Sequence, residues 1–268
     1  MAAPRSLVVL AALVLSACGG ERGQAPVAPG APTAGATPDL TGPGYAPAAG
    51  GAPYVAVTVA DGGRVGGRVV YKGAPRPPRP IQVTKDSAVC GVVVHTEESL
   101  VVGTDGGIRY AVVSIGPIGR GKAWPAAAKP SLDQHGCWFI PHVQVIPAGA
   151  ILDVVNSDGI LHNIHTYPKH NLPANMAQPK FKKVLSLPFP APDIVKVNCD
   201  VHSWMSAWIV VAAHPYYAVT DERGAFALEG VPPGTYTLSA WHETLGTRDQ
   251  SITVPAGGAA EATIIFQE

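Results

Sequence analysis

The chain has 268 residues, of which 47% are hydrophobic and 14% are charged, and its formal net charge is zero. A neutral chain lacks the basic surface on which nucleic-acid binding depends, so no nucleic-acid partner is expected. Its 30 glycines and 27 prolines favour short strands and turns over long helices. The length suits two compact domains better than one.

The first residues have the features of an export signal. Arg5 precedes an apolar run at 7–17, which is too short to span a bilayer, because a spanning helix needs about 20 apolar residues. The run ends in Leu-Ser-Ala-Cys, which resembles the cleavage site of bacterial lipoproteins. The resemblance implies a signal peptide at 1–17, a lipid anchor on Cys18 and a place in the bacterial cell envelope, facing the periplasm or the cell surface, with the outer membrane preferred. An ordinary signal peptide cleaved nearby is the alternative.

The rest of the chain divides into a tether and a region rich in strands. Residues 18–53 are mainly Ala, Pro and Gly without an apolar face, so a disordered tether is predicted. From residue 54 onward, short apolar runs are bounded by Gly and Pro, and no stretch has a helical period over a typical helix length, so an all-β fold is predicted. The predicted strands lie at 55–62, 63–73, 79–85, 98–102, 108–115, 142–149, 151–158, 193–200 and 207–213.

The C-terminal part contains a recognisable pattern. The segment TDERGAFALEGVPPGTYTL at 220–238 resembles carboxypeptidase-regulatory-like, transthyretin-like modules, which implies a second small β-sandwich at 214–268. That segment is short for a free-standing sandwich. We therefore predict that the N-terminal β segment at 54–107 pairs with it and that a middle domain at 108–213 is inserted between them. Three consecutive small units are the alternative.

One short motif indicates a metal site. Cys199, His202 and Met205 follow one another with two residues between each pair. A thiolate, an imidazole and a thioether suit copper, whereas structural zinc sites use more Cys and His and seldom Met. A type 1 copper site needs a second histidine, and His162 lies just past the strand predicted at 151–158.

The two segments His162-Asn163 and Cys199-Asp-Val-His202-Ser-Trp-Met205 resemble the cupredoxins of the plastocyanin and amicyanin type. The resemblance implies a Greek-key β-sandwich at 108–213 and one type 1 (blue) copper per chain. It implies His162, Cys199, His202 and Met205 as the ligands. It further implies that Asn163 ties the two ligand loops together.

Two more residues are predicted near the ligands. His142 precedes a strand and is expected at the same end of the sandwich, as a hydrogen-bond donor to a ligand or a substitute ligand. Trp204 lies inside the ligand loop, where cupredoxins commonly have a small or ring-compatible residue, and Val197 stands where an aromatic side chain is usual. Both departures are expected to alter solvent access and redox potential.

The cysteines bear on the same site, because an exported protein is in an oxidising compartment. A disulfide between Cys90 and Cys137 is predicted, and it leaves Cys199 free for a metal. Pairing of Cys199 with either of the other two remains open, because spacing does not decide connectivity.

These observations lead to an expected function. The chain is expected to be a lipid-anchored blue copper protein that carries single electrons between redox partner proteins that the sequence does not identify. It lacks a Gly-x-Ser-x-Gly elbow and a paired carboxylate motif, so no enzymatic activity is expected. A copper store or delivery protein, and a structural envelope protein without copper, are the alternatives. Residues 54–268 also resemble exported proteins associated with methylamine utilisation, which combine the same two kinds of segment.

Overall fold

The computed structural model describes residues 53–74, 76–126 and 129–267. The signal peptide, the lipidated Cys18 and nearly all of the tether predicted above lie outside these residues. Within them, no helix is both long enough and apolar enough to cross a membrane. The one helix there is α1, Ser87–Cys90, and strands dominate, so the predicted all-β fold is confirmed.

The described residues form eighteen strands. In chain order they are β1 Val55–Ala56, β2 Gly63–Lys72, β3 Val112–Gly116, β4 Arg120–Gly121, β5 Ser131–His135, β6 Trp138–Ile140, β7 Val143–Pro147, β8 Ala150–Asn156, β9 His162–Tyr167, β10 Asn175–Gln178, β11 Val184–Phe189, β12 Asp193–Asn198, β13 Ser206–Ala212, β14 Tyr217–Val219, β15 Ala225–Val231, β16 Gly234–His242, β17 Gly246–Val254 and β18 Ala259–Gln267. They build two β-sandwiches and one short parallel pair, β1 with β4.

The first sandwich, which we call the inserted sandwich, consists of β5 to β13. One sheet has the strand order β10-β9-β12-β13-β7 and the other has the order β11-β8-β5-β6. Buried and exposed side chains alternate along strands such as β11 and β12, because successive side chains of a strand point to opposite faces. The inward-facing side chains of both sheets, among them Leu132, Val154, Ile164 and Val195, share one core.

The second sandwich, which we call the host sandwich, comes from both ends of the described chain. Its sheets have the orders β14-β3-β16-β17 and β15-β2-β18, and their inner faces share an apolar core that includes Val65, Leu238 and Phe266. β2 lies between β15 and β18, so the early segment completes the C-terminal sandwich. A Cβ atom on Gly67 of β2 would lie 1.8 Å from the Ala262 carbonyl oxygen of β18, so only glycine permits this approach.

The structure corrects the predicted domain bounds at two places. β3 pairs with β14 and β16, so residues 112–116 belong to the host sandwich and not to the middle domain predicted from residue 108. Residues 79–85 and 98–102 form isolated bridges rather than strands. Val83, Val89 and Cys90 instead pack against the core of the inserted sandwich, although they precede β3 in the chain.

A tight turn at 221–224 links β14 to β15, but it does not close a hairpin. Asp221 accepts hydrogen bonds from the amides of Arg223 and Ala225, and Gly224 adopts the left-handed conformation with φ 72°. The strands on either side, β14 and β15, lie in different sheets. The turn therefore carries the chain from one face of the host sandwich to the other.

Candidate metal centre

The predicted ligands meet at one end of the inserted sandwich. His162 is the first residue of β9, Cys199 follows β12, and His202 lies in the loop between β12 and β13. β9 and β12 are antiparallel neighbours, and Asn198 is opposite His165. This register brings the start of β9 beside the end of β12. His162 therefore contacts Cys199 and His202, which lie 37 and 40 positions later in the sequence.

Three donor atoms form a compact triangle. Cys199 Sγ lies 4.0 Å from His162 Nδ1 and 3.9 Å from His202 Nδ1, and the two Nδ1 atoms are 3.1 Å apart. All three side chains are buried, with at most 1% of their surface exposed. The three donor atoms are therefore close enough together to hold one metal ion.

The size of the triangle fits a metal ion. Bond lengths of about 2.05 Å to nitrogen and 2.3 Å to sulfur are typical of protein sites with these donors. The separations of 3.1, 3.9 and 4.0 Å among the three donor atoms are compatible with these bond lengths. His162, Cys199 and His202 could therefore hold one metal ion between them.

The surroundings of Cys199 favour its thiolate. Burial alone would raise the pKa of the thiol, but a hydrogen bond from His162 and backbone amides of the two ligand loops outweigh burial and lower the pKa. The thiolate is the form that binds metals. Cys199 is also the free cysteine among the described residues.

His162 is oriented by a buried carboxylate. Its Nε2 lies 2.9 Å from Asp158 Oδ2, and Asp158 also accepts the backbone amides of Gly136 at 2.5 Å and Cys137 at 2.8 Å. Burial would raise the pKa of Asp158, but these hydrogen bonds, from His162 first, hold the pKa below its ordinary value. The carboxylate keeps the proton of His162 on Nε2 and leaves Nδ1 as the atom that faces the other donors.

His202 has a comparable partner from a distant part of the chain. Its Nε2 lies 2.8 Å from Asp86 Oδ2, 116 residues away, and 40% of the Asp86 side chain is exposed. Burial, opposed by the hydrogen bond to Asp86, lowers the pKa of His202, so the imidazole is favoured in the neutral form that binds metals. Asp86 has φ 51°, a conformation that is uncommon for a residue other than glycine and that recurs at functional sites.

The predicted disulfide between Cys90 and Cys137 is confirmed, which excludes the pairing of Cys199 with either of them. Its sulfur atoms lie within 4.8 Å of a ring nitrogen of His202. Cys90 ends the helix that follows Asp86, and the Cys137 amide binds Asp158. The disulfide thus joins two segments. One carries Asp86, the partner of His202, and the other contains the Cys137 amide, which binds Asp158, the partner of His162.

The other predicted residues of the ligand loops are close to the triangle. Met205 is fully buried, its amide donates to the His202 carbonyl at 2.9 Å, and its carbonyl accepts from the Cys199 amide at 3.2 Å. Asn163 Oδ1 accepts the Asp200 amide at 2.8 Å, so this side chain joins the two ligand loops. Trp204 is half-buried, and its ring centroid lies 5.2 Å from that of His202.

The side-chain contacts of His142 within the described part of the chain are with residues other than the four predicted ligands. Its Nε2 lies 2.5 Å from Glu243 Oε1 and its Nδ1 lies 3.1 Å from the Ser206 carbonyl, at the junction of the two sandwiches. Burial would lower the pKa of His142, but the contact with Glu243 outweighs burial and raises the pKa. The prediction that His142 supports or replaces a ligand is therefore wrong, because the carboxylates of Glu243 and Glu98 hold the ring at the domain junction.

Sequence reasoning missed the two carboxylates, although one of them had a signal. Asp158 lies four residues before His162, in the same short segment of the sequence. This close spacing was the signal that could have identified it. Asp86 had no signal of that kind, because it meets His202 only through the tertiary fold.

Comparisons with known proteins add to this geometry. The model of the carboxypeptidase regulatory-like domain matches residues 206–267, which supports the predicted C-terminal module but starts with β13 of the inserted sandwich. No curated protein matches the sequence.

Solved structures with partial similarity are copper proteins by name. Amicyanin from Paracoccus versutus is 18% identical, with 33% of this chain and 84% of that chain covered and a TM-score of 0.29. A purple cupredoxin from Nitrosopumilus maritimus is 17% identical, with 31% and 99% covered and a TM-score of 0.27. A copper-containing nitrite reductase from Thermus scotoductus is 22% identical, with 34% of this chain covered and a TM-score of 0.27, and the match spans 25% of that chain.

Proposed function

We propose that this protein binds one copper ion at His162, Cys199 and His202 and carries single electrons. The observation that supports the proposal most directly is the triangle of two Nδ1 atoms and one Sγ atom, with sides of 3.1, 3.9 and 4.0 Å. A soft thiolate with two imidazoles suits copper. Met205, next to these residues in the closed loop, is the proposed weak fourth ligand.

Copper in such a site supplies a one-electron change between Cu(I) and Cu(II). The residues of this chain supply a rigid setting for that change. Asp158 and Asp86 fix the orientation of both imidazoles, Asn163 holds the two ligand loops together, and the disulfide ties the outer segments. With the donors fixed, little needs to rearrange when the charge changes, and a small rearrangement favours fast electron transfer.

The wider setting is part of the same proposal. A lipid on Cys18 would anchor the protein in the bacterial cell envelope, and the segment up to residue 53 would let the folded part reach its redox partner proteins. The proposed role is that of an electron carrier and not of an enzyme. The proposed location rests on the sequence patterns of the N-terminus. The proposed role rests on the ligand set, which has three protein donors and an expected fourth.

The visible spectrum tests the proposal. Metal-free protein is mixed with Cu(II), and an intense thiolate-to-copper charge-transfer band is expected. Cys199→Ser should abolish the band, and Met205→Leu should change its shape. His165→Gln is the matched control, because His165 is an accessible histidine on β9 that contacts Asp200 rather than the three donors, and it should keep the band.

Two results would contradict the proposal in different ways. A colourless protein that retains no copper would favour a structural envelope protein. Tight binding of Cu(I) without a Cu(II) band would favour a copper store or delivery protein.

A further inference from the structure

A chain of aromatic rings leads away from the proposed metal ligand His202. The centroid of Trp204 lies 5.2 Å from that of His202, His95 lies 6.1 Å from Trp204, and Trp138 is stacked on His95 at 4.5 Å. These separations are within or close to the range of rings in contact. Four rings therefore lie in succession from His202 to Trp138, and both Trp204 and Trp138 are half-buried.

Two of these rings are held in place by the backbone of the disulfide. Trp204 Nε1 donates to the Cys137 carbonyl at 3.3 Å, and His95 Nε2 lies 2.9 Å from the Cys90 carbonyl. His95 is 1% exposed. The covalent link between Cys90 and Cys137 thus fixes Trp204 and His95 relative to each other, and the alignment of the rings does not depend on mobile side chains.

The ring chain ends beside an exposed apolar surface. Val92, Val93 and Val94 are 73%, 42% and 85% exposed. A Cβ atom on Gly136 would lie 3.6 Å from Val93 Cγ2 and 3.9 Å from Trp138 Cδ1, so Val93 and Trp138 flank the same glycine, and Val92 and Val94 are the neighbours of Val93 in the chain. We call Val92, Val93, Val94 and Trp138 the valine patch. Contiguous exposed apolar residues indicate a contact site for another molecule.

The opposite edge of His202 leads to a carboxylate and not to another ring. Its Nε2 is bound by Asp86 at 2.8 Å, and the Asp86 side chain is 40% exposed. Electron tunnelling weakens exponentially with distance and weakens faster across gaps than through atoms in contact. The rings of Trp204, His95 and Trp138 are thus a continuous contact path from His202 toward the surface.

The acidic groups next to the path have partners within the chain. Glu97 and Glu98 line a surface hollow together with Trp138 and Trp204. Glu97 pairs with Arg79 at 2.7 Å, and Glu98 accepts the Tyr110 hydroxyl at 2.9 Å and faces His142 at 3.6 Å. A partner that docks here therefore meets apolar side chains and carboxylates that are already engaged by groups of this chain, so its own docking face should be apolar and weakly charged.

Resting on the proposed function, we propose that Trp204, His95 and Trp138 relay electrons between the metal site and the valine patch, where a redox protein with an apolar, weakly charged face docks. In each transfer Cu(I) loses one electron and becomes Cu(II), and the docked partner gains that electron. No bond forms or breaks and no proton moves. Contacts of this kind are small and short-lived in electron-transfer complexes.

Electron self-exchange between two copies of the full chain tests this relay. A second copy is a suitable probe because its own valine patch has the chemistry expected of the partner. Self-exchange is measured from NMR line broadening in mixtures of the Cu(I) and Cu(II) forms, and the visible band and the redox potential are recorded for each variant.

Val94→Asp should lower the self-exchange rate by about tenfold or more, because it places a charge in an apolar contact. Ile151→Asp, which introduces the same charge at a 49% exposed residue of β8, should change the rate by less than about twofold. Trp138→Leu should also lower the rate, and Trp138→Phe, which keeps a ring, should restore most of it. The band and the potential should stay unchanged in all four variants.

The results separate the two proposals. Absence of the band in the wild-type protein would overturn the proposed function. A normal band together with wild-type self-exchange in Val94→Asp would overturn the relay and its docking surface. Val94 is 85% exposed, so Val94→Asp should not affect folding. Its self-exchange rate therefore tests the relay even if Trp138→Leu fails to fold.

Discussion

The inserted and host sandwiches are both built from antiparallel and parallel strand pairs, but their interiors differ. The host core is made of apolar side chains such as Val69, Leu238 and Phe266. Within the described residues, the host side also buries His214 and His242 without a cysteine beside them. The inserted core contains Cys199 and is bordered by buried histidines and a network in which Gln134 donates to Gln178 at 2.6 Å. Burying polar groups destabilises a fold unless each has a partner. Because the inserted sandwich brings the three donor atoms together, we expect it to carry the proposed copper chemistry and the host sandwich to contribute mainly stability.

Truncation of the host core should produce the largest loss of stability. Phe266 is fully buried, and Phe266→Ala should lower the free energy of unfolding by about 3–5 kcal/mol, because it removes apolar contacts and leaves a cavity. Denaturation in urea measures the loss. The copper band of the folded protein should be unchanged.

The neighbouring Ile265 is the matched control, because 36% of it is exposed and Ile265→Ala should have a small effect. Loss of the copper band in Phe266→Ala at a denaturant concentration where the protein is still folded would contradict the expectation that the host sandwich contributes stability and the inserted sandwich binds copper.

Acid should destabilise the host side through His214. Burial lowers the pKa of His214 from 6.5 to about 4, so the folded protein binds this proton less readily than the unfolded chain. Stability is therefore complete above about pH 6.5 and is lost as the pH falls toward about 4, by up to about 3 kcal/mol for this residue. His214→Gln should lose correspondingly less stability between pH 7 and pH 4 in denaturant titrations.

The comparison at pH 8 isolates the packing cost of the His214→Gln substitution, because the wild-type histidine is neutral in both states there. A gap between the two proteins that stays constant from pH 8 to pH 4 would contradict this account of His214.

Removing the charge of Asp158 should have a smaller effect, confined to the inserted sandwich. Asp158→Asn keeps the shape but weakens the hold on His162, and copper affinity should fall by about 10- to 100-fold, or about 1.4–2.7 kcal/mol. Competition with a chelator measures the affinity. Asp153→Asn is the control, because Asp153 pairs with Lys129 and Ser186 and not with a predicted ligand. Equal losses of copper affinity in both variants would contradict the prediction. They would show that the net negative charge of the inserted sandwich, and not the contact with His162, sets the affinity.

Much of the site was predictable because its information is local. Cys199, His202 and Met205 lie within seven residues, and His162 follows a strand in a short recognisable segment. The all-β fold was predictable because alternation along a strand reflects burial on one face. Asp86 was not predictable, since a carboxylate 116 residues from its histidine leaves no periodic or spaced pattern.

The domain bounds failed for a related reason. The apolar pattern at 108–115 identifies a strand but not its partners, and β3 pairs with Ser239 and Tyr217, more than a hundred residues later. His142 was misplaced because a histidine before a strand has the same local pattern at a domain junction as at a metal site. Its partner Glu243 lies 101 residues away.

The hydroxyl of Tyr216 has a consequence for how such a chain can be assembled. It accepts the amide of Lys122 at 2.8 Å across 94 residues of sequence, so the chain leaves the host and returns to it at one place. Domains whose ends meet in this way tolerate transplantation. The strand order of the host would be the same with another domain at 123–215, but such an exchange would separate Cys137 from Cys90 and His202 from Asp86, because Cys90 and Asp86 lie earlier in the chain.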